Sequence, residues 1–180
     1  GGALQQRARS IVEAGGFAQF ADDLCALDEN AIFTSGVNGV SFWDGTRWGD
    51  ISGGFHELSF GHDIFALDED HAWLLYGMHY DSLAVWDGAD WSKTTLDGAT
   101  IVSVTAAAAD EAWAVGSGLW RGDGAGWQDM GVAGDLLDVW TPGRNDAWAV
   151  GTGGRVIRWN GATWADVETG VEGTVNLVHG

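Results

Sequence analysis

What the chain lacks narrows it first. Its 180 residues include one cysteine, Cys25, and one proline. A lone thiol excludes an internal disulfide and any multi-cysteine metal site. Its setting in Leu24-Cys25-Ala26-Leu27 predicts a buried structural thiol rather than a nucleophile. Cations are scarce: Lys and Arg total 8 against 26 Asp and Glu, for a formal net charge of -18. A surface of that sign repels phosphate backbones and anionic lipid headgroups, so neither nucleic acid nor membrane insertion is expected. Most of the charge is expected to keep an apolar chain in solution. No apolar run approaches the ~20 residues that span a bilayer, and no basic segment leads into an apolar one as in a signal peptide. Hydrophobic residues nonetheless reach 46%, which sets the chain apart from disordered compositions.

What is present is a repeat. Its clearest copy runs from Leu136 to Trp164. There Asp146-Ala147-Trp148-Ala149-Val150-Gly151 matches Glu111-Ala112-Trp113-Ala114-Val115-Gly116, then His71-Ala72-Trp73-Leu74-Leu75 and the degenerate Asn30-Ala31-Ile32-Phe33. Downstream stand Asp44-Gly45, Asp87-Gly88, Asp123-Gly124 and Asn160-Gly161, each followed by a tryptophan four positions after the Asx: Trp48, Trp91, Trp127 and Trp164. Trp43, Trp86 and Trp159 come just before the anchor, so ten of the 12 tryptophans occupy repeat positions.

Asx-Gly between apolar runs signals a hairpin, because glycine accepts the positive φ of a tight turn. In the last copy four strands are predicted, at Leu136–Trp140, Asp146–Gly151, Arg155–Trp159 and Thr163–Glu168. The anchors are spaced by 43, 36 and 37 residues. Four short strands in about 35 to 45 residues is the dimension of a β-propeller blade. A leucine-rich repeat would be shorter, helical repeats would not tolerate 29 glycines, and a sandwich would not repeat every four strands. The expected fold is therefore all-β, a β-propeller of four recognisable blades at about residues 20–52, 60–97, 100–131 and 135–169. The repeat tryptophans Trp73, Trp113, Trp148, Trp48, Trp91, Trp127 and Trp164 are expected mostly in the core.

The ends do not fit four closed blades. Residues 1–19 carry no anchor, and Leu4, Ala8, Ile11 and Val12 form a helical stripe ending at Gly15-Gly16, which predicts a short helix. Residues 171–180 contain Thr174-Val175-Asn176-Leu177-Val178, read as the first strand of a further blade or a closing strand. Three arrangements stay open: a piece of a larger propeller, an open propeller completed by another chain, and a four-blade ring with a tail strand.

The string Leu137-Asp138-Val139-Trp140, then Asn145 to Gly151, then Gly154-Arg155-Val156-Ile157-Arg158-Trp159-Asn160-Gly161-Ala162-Thr163-Trp164, resembles the Trp-rich propeller repeats of bacterial secreted and surface proteins. It is also similar to tectonin repeats, which occur in propeller lectins. The resemblance covers about residues 20–178 and implies a propeller fold, a secreted or cell-surface setting and, on the tectonin side, carbohydrate binding. The Asx-Gly-x-x-Trp element is similar to the structural Asp-box hairpin of sialidase-type propellers, though the leading Ser or Thr is absent. None of these names a catalytic residue.

Motifs for chemistry are sparse. His56-Glu57-Leu58-Ser59-Phe60 begins like a zinc-protease helix motif, but Phe60 stands where the second His is required and His62 comes too late. Arg121-Gly122-Asp123 spells an adhesion tripeptide, but it falls across a strand and its turn. No metal and no cofactor is expected. The site expectation is topological. Loops between second and third strands and loops between blades should share one face, and they carry His79, Tyr80, Asp81, His56, Asn38 and Arg155 as ligand-binding candidates. Three functions follow: a non-catalytic module binding a protein or glycan through that face, a structural subunit completed by another chain at open propeller edges, and a propeller-type glycoside hydrolase or lyase.

Overall fold

In a computed structural model the described residues are 2–14, 21–53, 60–96 and 98–179. The chain divides into two compact units, Gly1–Thr95 and Leu96–Gly180. Unit 1 opens with a helix, α1 (Gly2–Ala14), whose Ala8 and Val12 are buried. Two antiparallel sheets follow, each in simple sequential order. The first holds β1 (Ala21–Ala26), β2 (Ile32–Gly36), β3 (Gly39–Trp43) and β4 (Trp48–Asp50), and the second β5 (Gly61–Asp68), β6 (His71–Tyr76), β7 (Ser82–Trp86) and β8 (Trp91–Thr95). Unit 2 repeats the plan. One sheet holds β9 (Ile101–Ala108), β10 (Glu111–Gly116), β11 (Leu119–Gly122) and β12 (Trp127–Asp129), and the other β13 (Leu136–Gly143), β14 (Asp146–Gly151), β15 (Val156–Trp159) and β16 (Trp164–Asp166). These are four all-β propeller blades; the helical elements among the described residues are α1 and a single 3-10 turn at Thr152–Gly154.

The Asx-Gly anchors form the turns between third and fourth strands. In each, one side-chain oxygen caps two backbone N–H groups: Asp44 those of Thr46 and Arg47, Asp87 those of Ala89 and Asp90, Asp123 those of Ala125 and Gly126, and Asn160 those of Ala162 and Thr163. The glycine that follows holds the positive φ this turn needs, +86° at Gly45 and +90° at Gly161.

The second strands are the most deeply buried. Every residue of β10 is buried, and so is every residue of β6 after His71. Sheets then stack face to face within each unit. In unit 1, Phe33, Val40 and Cys25 meet Ile64, Ala66, Leu74 and Trp91, and the Trp91 indole N–H crosses to the Ile51 carbonyl at 2.8 Å. In unit 2, Trp113, Val115 and Leu119 meet Val139, Ala149, Ile157 and Trp159. Burying one indole removes ~150–250 Å² from water, several kcal/mol gross at ~25 cal/mol per Å².

One expectation needs correction. Trp73 and Trp113 are 2% and 0% exposed, but Trp148, at the matching position of β14, is only half-buried and its ring lies under the Arg158 guanidinium at 4.8 Å. Trp48, Trp127 and Trp164 are likewise half-buried, whereas Trp91 is buried. The segment 174–178 belongs to none of the four sheets, and its Val175 N–H donates to the Gly151 carbonyl at 3.0 Å. No helix among the described residues is long and apolar enough to cross a membrane.

Candidate functional site

One end of unit 1 gathers loops from both of its sheets. The β2–β3 turn supplies Val37 and Asn38, the residue entering β5 is Phe60, and the β6–β7 loop supplies Gly77 to Asp81. Backbone hydrogen bonds tie them together. The Phe60 N–H donates to the Gly36 carbonyl at 3.1 Å, the Gly77 N–H to the Phe60 carbonyl at 3.3 Å, and the Tyr80 N–H to the Gly77 carbonyl at 3.4 Å. His62, on β5, sits below. Its Nε2 is 2.6 Å from the Gly77 carbonyl, which can only accept, so Nε2 carries the proton. The imidazole also stacks on the Tyr80 ring, with centroids 4.0 Å apart and planes 20° from parallel.

This end is apolar where water meets it. Among the described residues six large hydrophobics are exposed, and four of them are here: Val37, Phe60, Met78 and Tyr80. Phe60 and Tyr80 also adopt left-handed backbone, with φ of +67° and +57°. For bulky side chains that conformation costs on the order of 1–3 kcal/mol and persists only where its surroundings enforce it. The backbone is therefore held so that two aromatic rings face outward.

The sequence candidates distribute as follows. Tyr80 is part of the cluster, and His79 is exposed beside it. Asp81 is half-buried and accepts from the Ser82 hydroxyl at 3.0 Å. Asn38 is exposed next to Val37 and lines a shallow depression with Thr34, Ser35 and Ser41. His56 lies outside the described residues. Arg155 belongs to unit 2, where its guanidinium is engaged by Asp166 at 3.2 Å and by the Ala133 carbonyl. Val37, Phe60 and His62 also belong to this end, though none was among the sequence candidates.

A second concavity, of about 240 Å³, lies between α1 and β1 and is lined by Arg9, Val12, Glu13 and residues 21–24. Burial pushes the Asp23 carboxyl up from its ordinary range, against hydrogen bonds from the backbone N–H groups of Ile64 and Leu24 that pull it down. Cys25, on the same strand, has its thiol pushed up to about 11 by burial. Among the described residues no group of three or more His, Cys, Asp or Glu side chains is placed to hold a metal ion.

No protein-family profile matches the chain, and no curated protein matches it. Solved structures do. An ancestral GH74 enzyme is similar over 86% of this chain and 26% of its own, at 16% identity and a TM-score of 0.61. YCF48 bound to D1 peptide is similar over 77% of this chain and 50% of its own, at 14% identity and a TM-score of 0.61. U3-55K is similar over 82% of this chain and 52% of its own, at 12% identity and a TM-score of 0.65. The chain thus spans from about a quarter to about half of these structures. At such identities the likeness shows the propeller-type fold and transfers no residue role.

Proposed function

We propose that this chain is a non-catalytic binding module whose ligand seats on the loop end of unit 1, and that the ligand is a protein segment rather than a glycan. One observation carries the reading: Val37, Phe60, Met78 and Tyr80 are exposed together on rigidly tied loops, two of them in left-handed backbone. Exposed apolar groups on a fixed scaffold are what partners use as anchors. The mixture favours a protein. A sugar platform uses flat aromatic faces with polar donors around them, whereas Val37 and Met78 offer aliphatic and thioether surface suited to apolar side chains. The net charge of -18 favours a segment with basic residues flanking its apolar ones. The peptide carried by the YCF48 structure supports the protein arm, and the resemblance to tectonin-type lectin repeats supports the glycan arm.

The test is a selection from a displayed peptide library on the full chain, counter-selected with the triple variant Phe60→Ser, Met78→Ser, Tyr80→Ser. All three side chains are exposed, so the variant retains its core. Enrichment of peptides with apolar anchors, weakened about tenfold or more by the triple variant, is expected. Enrichment indifferent to the variant, or none, would reject the site. Retention on a glycan array that depends on Tyr80 and Phe60, with no peptide enriched, would reassign the ligand to carbohydrate.

A further inference from the structure

Within unit 2 the face of the first sheet receives the second through three contacts. On the inner strands, the Ser103 hydroxyl donates to Asp138 Oδ1 at 2.8 Å. In the middle, Trp113 meets Trp159 and Trp164 at 5.0 and 5.1 Å, and the Arg121 guanidinium lies 5.7 Å from Trp113 and 5.9 Å from Trp159. At the edge, the Asn145 N–H of the incoming turn donates to Glu111 Oε1 at 3.0 Å, and Arg144 of that turn pairs with Asp110.

The second sheet carries the same fittings on its own far face. By register, Asp138 stands where Ser103 does, Trp148 where Trp113 does, and Arg158 where Arg121 does, while Asp146 opens β14 as Glu111 opens β10. The inner contact is already made: the Val178 N–H donates to Asp138 Oδ2 at 2.8 Å. Unit 1 has the same bond, from the Ile64 N–H of β5, the inner strand of its second sheet, to Asp23 Oδ2 at 2.9 Å. The Val175 N–H on the Gly151 carbonyl likewise corresponds to the Phe60 N–H on the Gly36 carbonyl. Residues 174–178 therefore lie where the inner strand of a following sheet lies, with Val175 and Val178 half-buried and Leu177 66% exposed.

The other two contacts stand half-made. Arg158 covers Trp148, but among the described residues no second indole closes the sandwich, and Trp148 is half-buried where Trp113 is 0% exposed. Asp146, which stands where Glu111 takes the Asn145 N–H of the incoming turn, instead binds the Arg158 guanidinium through both oxygens at 2.9 and 3.0 Å and takes a hydrogen bond from the Trp148 side chain.

We propose that the far face of the β13–β16 sheet is a docking surface for three further strands of this same repeat class, which pair onto residues 174–178 and close a tryptophan over Arg158. The partner is recognised by its chemistry: a polypeptide with an Asx-Gly-x-x-Trp hairpin, whose indole completes the Trp148–Arg158 sandwich and whose first turn offers an N–H to Asp146.

The experiment appends a second copy of residues 141–166 after Gly180 of the full chain. Both proteins carry fluorotryptophan, with the Trp148 resonance assigned by its loss in Trp148→Phe. Expected is a several-fold drop in the solvent accessibility of Trp148, reversed when the appended copies of Trp159 and Trp164 are replaced by Ser and weakened by Arg158→Ala, an exposed side chain whose loss spares the core. A Trp148 accessibility unchanged by the appended strands would overturn the proposal. So would protection that survives loss of the appended tryptophans. Sedimentation of the unmodified chain is the control for the remaining occupant: a dimer that buries Trp148 would assign the face to a second copy and overturn the proposal as well.

Discussion

Gly161 rests against Asn145: a β-carbon placed on the glycine would stand 3.0 Å from the Asn145 β-carbon. The contact joins the turn between third and fourth strands to the turn between first and second. It recurs at Gly45 on Asn30, Gly88 on Asp70 and, more loosely, Gly124 on Asp110. The hairpin glycine thus answers two demands at once, a positive φ and a close approach.

Replacing Gly161 with Ala or Val should therefore destabilise unit 2 by about 1–3 kcal/mol, the range for a side chain held at a disfavoured φ, with Val the worse. Gly126→Ala is the control, since nothing lies within 4 Å of its added carbon. Denaturant midpoints of the three variants check the ordering. Equal midpoints for Gly161→Ala and Gly126→Ala would contradict it.

Trp113 and Trp148 share a sequence position and differ in burial. Trp113→Ala should cost ~3–5 kcal/mol, as truncation of a buried aromatic does. Trp148→Ala should cost clearly less, because its ring is half in water already and loses, beyond its part-buried area, the Arg158 contact, worth about 0.5–1 kcal/mol at exposed sites, and a side-chain hydrogen bond to Asp146. Urea titration of the two variants decides, and equal costs would place Trp148 in the core.

Much of the architecture could be read from the chain because its signals are local. Asp44, Asp87, Asp123 and Asn160 cap their own turns within three residues, so the hairpins follow from the sequence alone. The difference between Trp113 and Trp148 could not be read that way. Their neighbours, Ala-Trp-Ala-Val-Gly, are identical, and only the partner across the sheet face distinguishes them. The loop cluster was half visible. Tyr80 lay in a loop between second and third strands, but Phe60 joins it through its N–H on the Gly36 carbonyl and His62 through its ring Nε2 on the Gly77 carbonyl, which no spacing announces. Arg155, a loop-face candidate from its place between second and third strands, is held by Asp166.

The turn carboxylates make stability depend on acid. Hydrogen bonds from the Thr46 hydroxyl and the backbone N–H groups of Arg47 and Thr46 hold Asp44 down to about 2, and turn N–H groups lower Asp87 and Asp123 in the same direction. Each folded value lies below the unfolded one, ~3.9 for Asp. Their contribution is therefore complete above about pH 4 and is lost as the pH falls through the folded values. The Asp44→Asn, Asp87→Asn, Asp123→Asn triple variant should lose less stability between pH 5 and pH 2 than the parent, since Asn160 makes the same two bonds without titrating. Thermal unfolding at both pH values measures this, and an unchanged acid loss would count against the turns as its source.

Cys25 should resist modification. Its sulfur accepts the Ala66 N–H at 3.3 Å on the second sheet of unit 1, and burial, with the nearby charges of Asp23 and Asp63, holds the thiol up to about 11. Only the thiolate attacks a disulfide or haloacetamide, so at pH 8 a small fraction is competent, and it is poorly exposed besides. The folded chain should react with a thiol-reactive disulfide reagent at least about tenfold more slowly than the same chain in denaturant, as expected of a thiol whose pKa is raised by about two units. Raising the pH from 8 to 10 should speed the folded reaction steeply while the denatured chain, whose thiol titrates near pH 8.5, levels off. Parallel pH profiles for the two states would mean that Cys25 is open to solvent and that the β1–β5 contact is looser than the 3.3 Å bond implies.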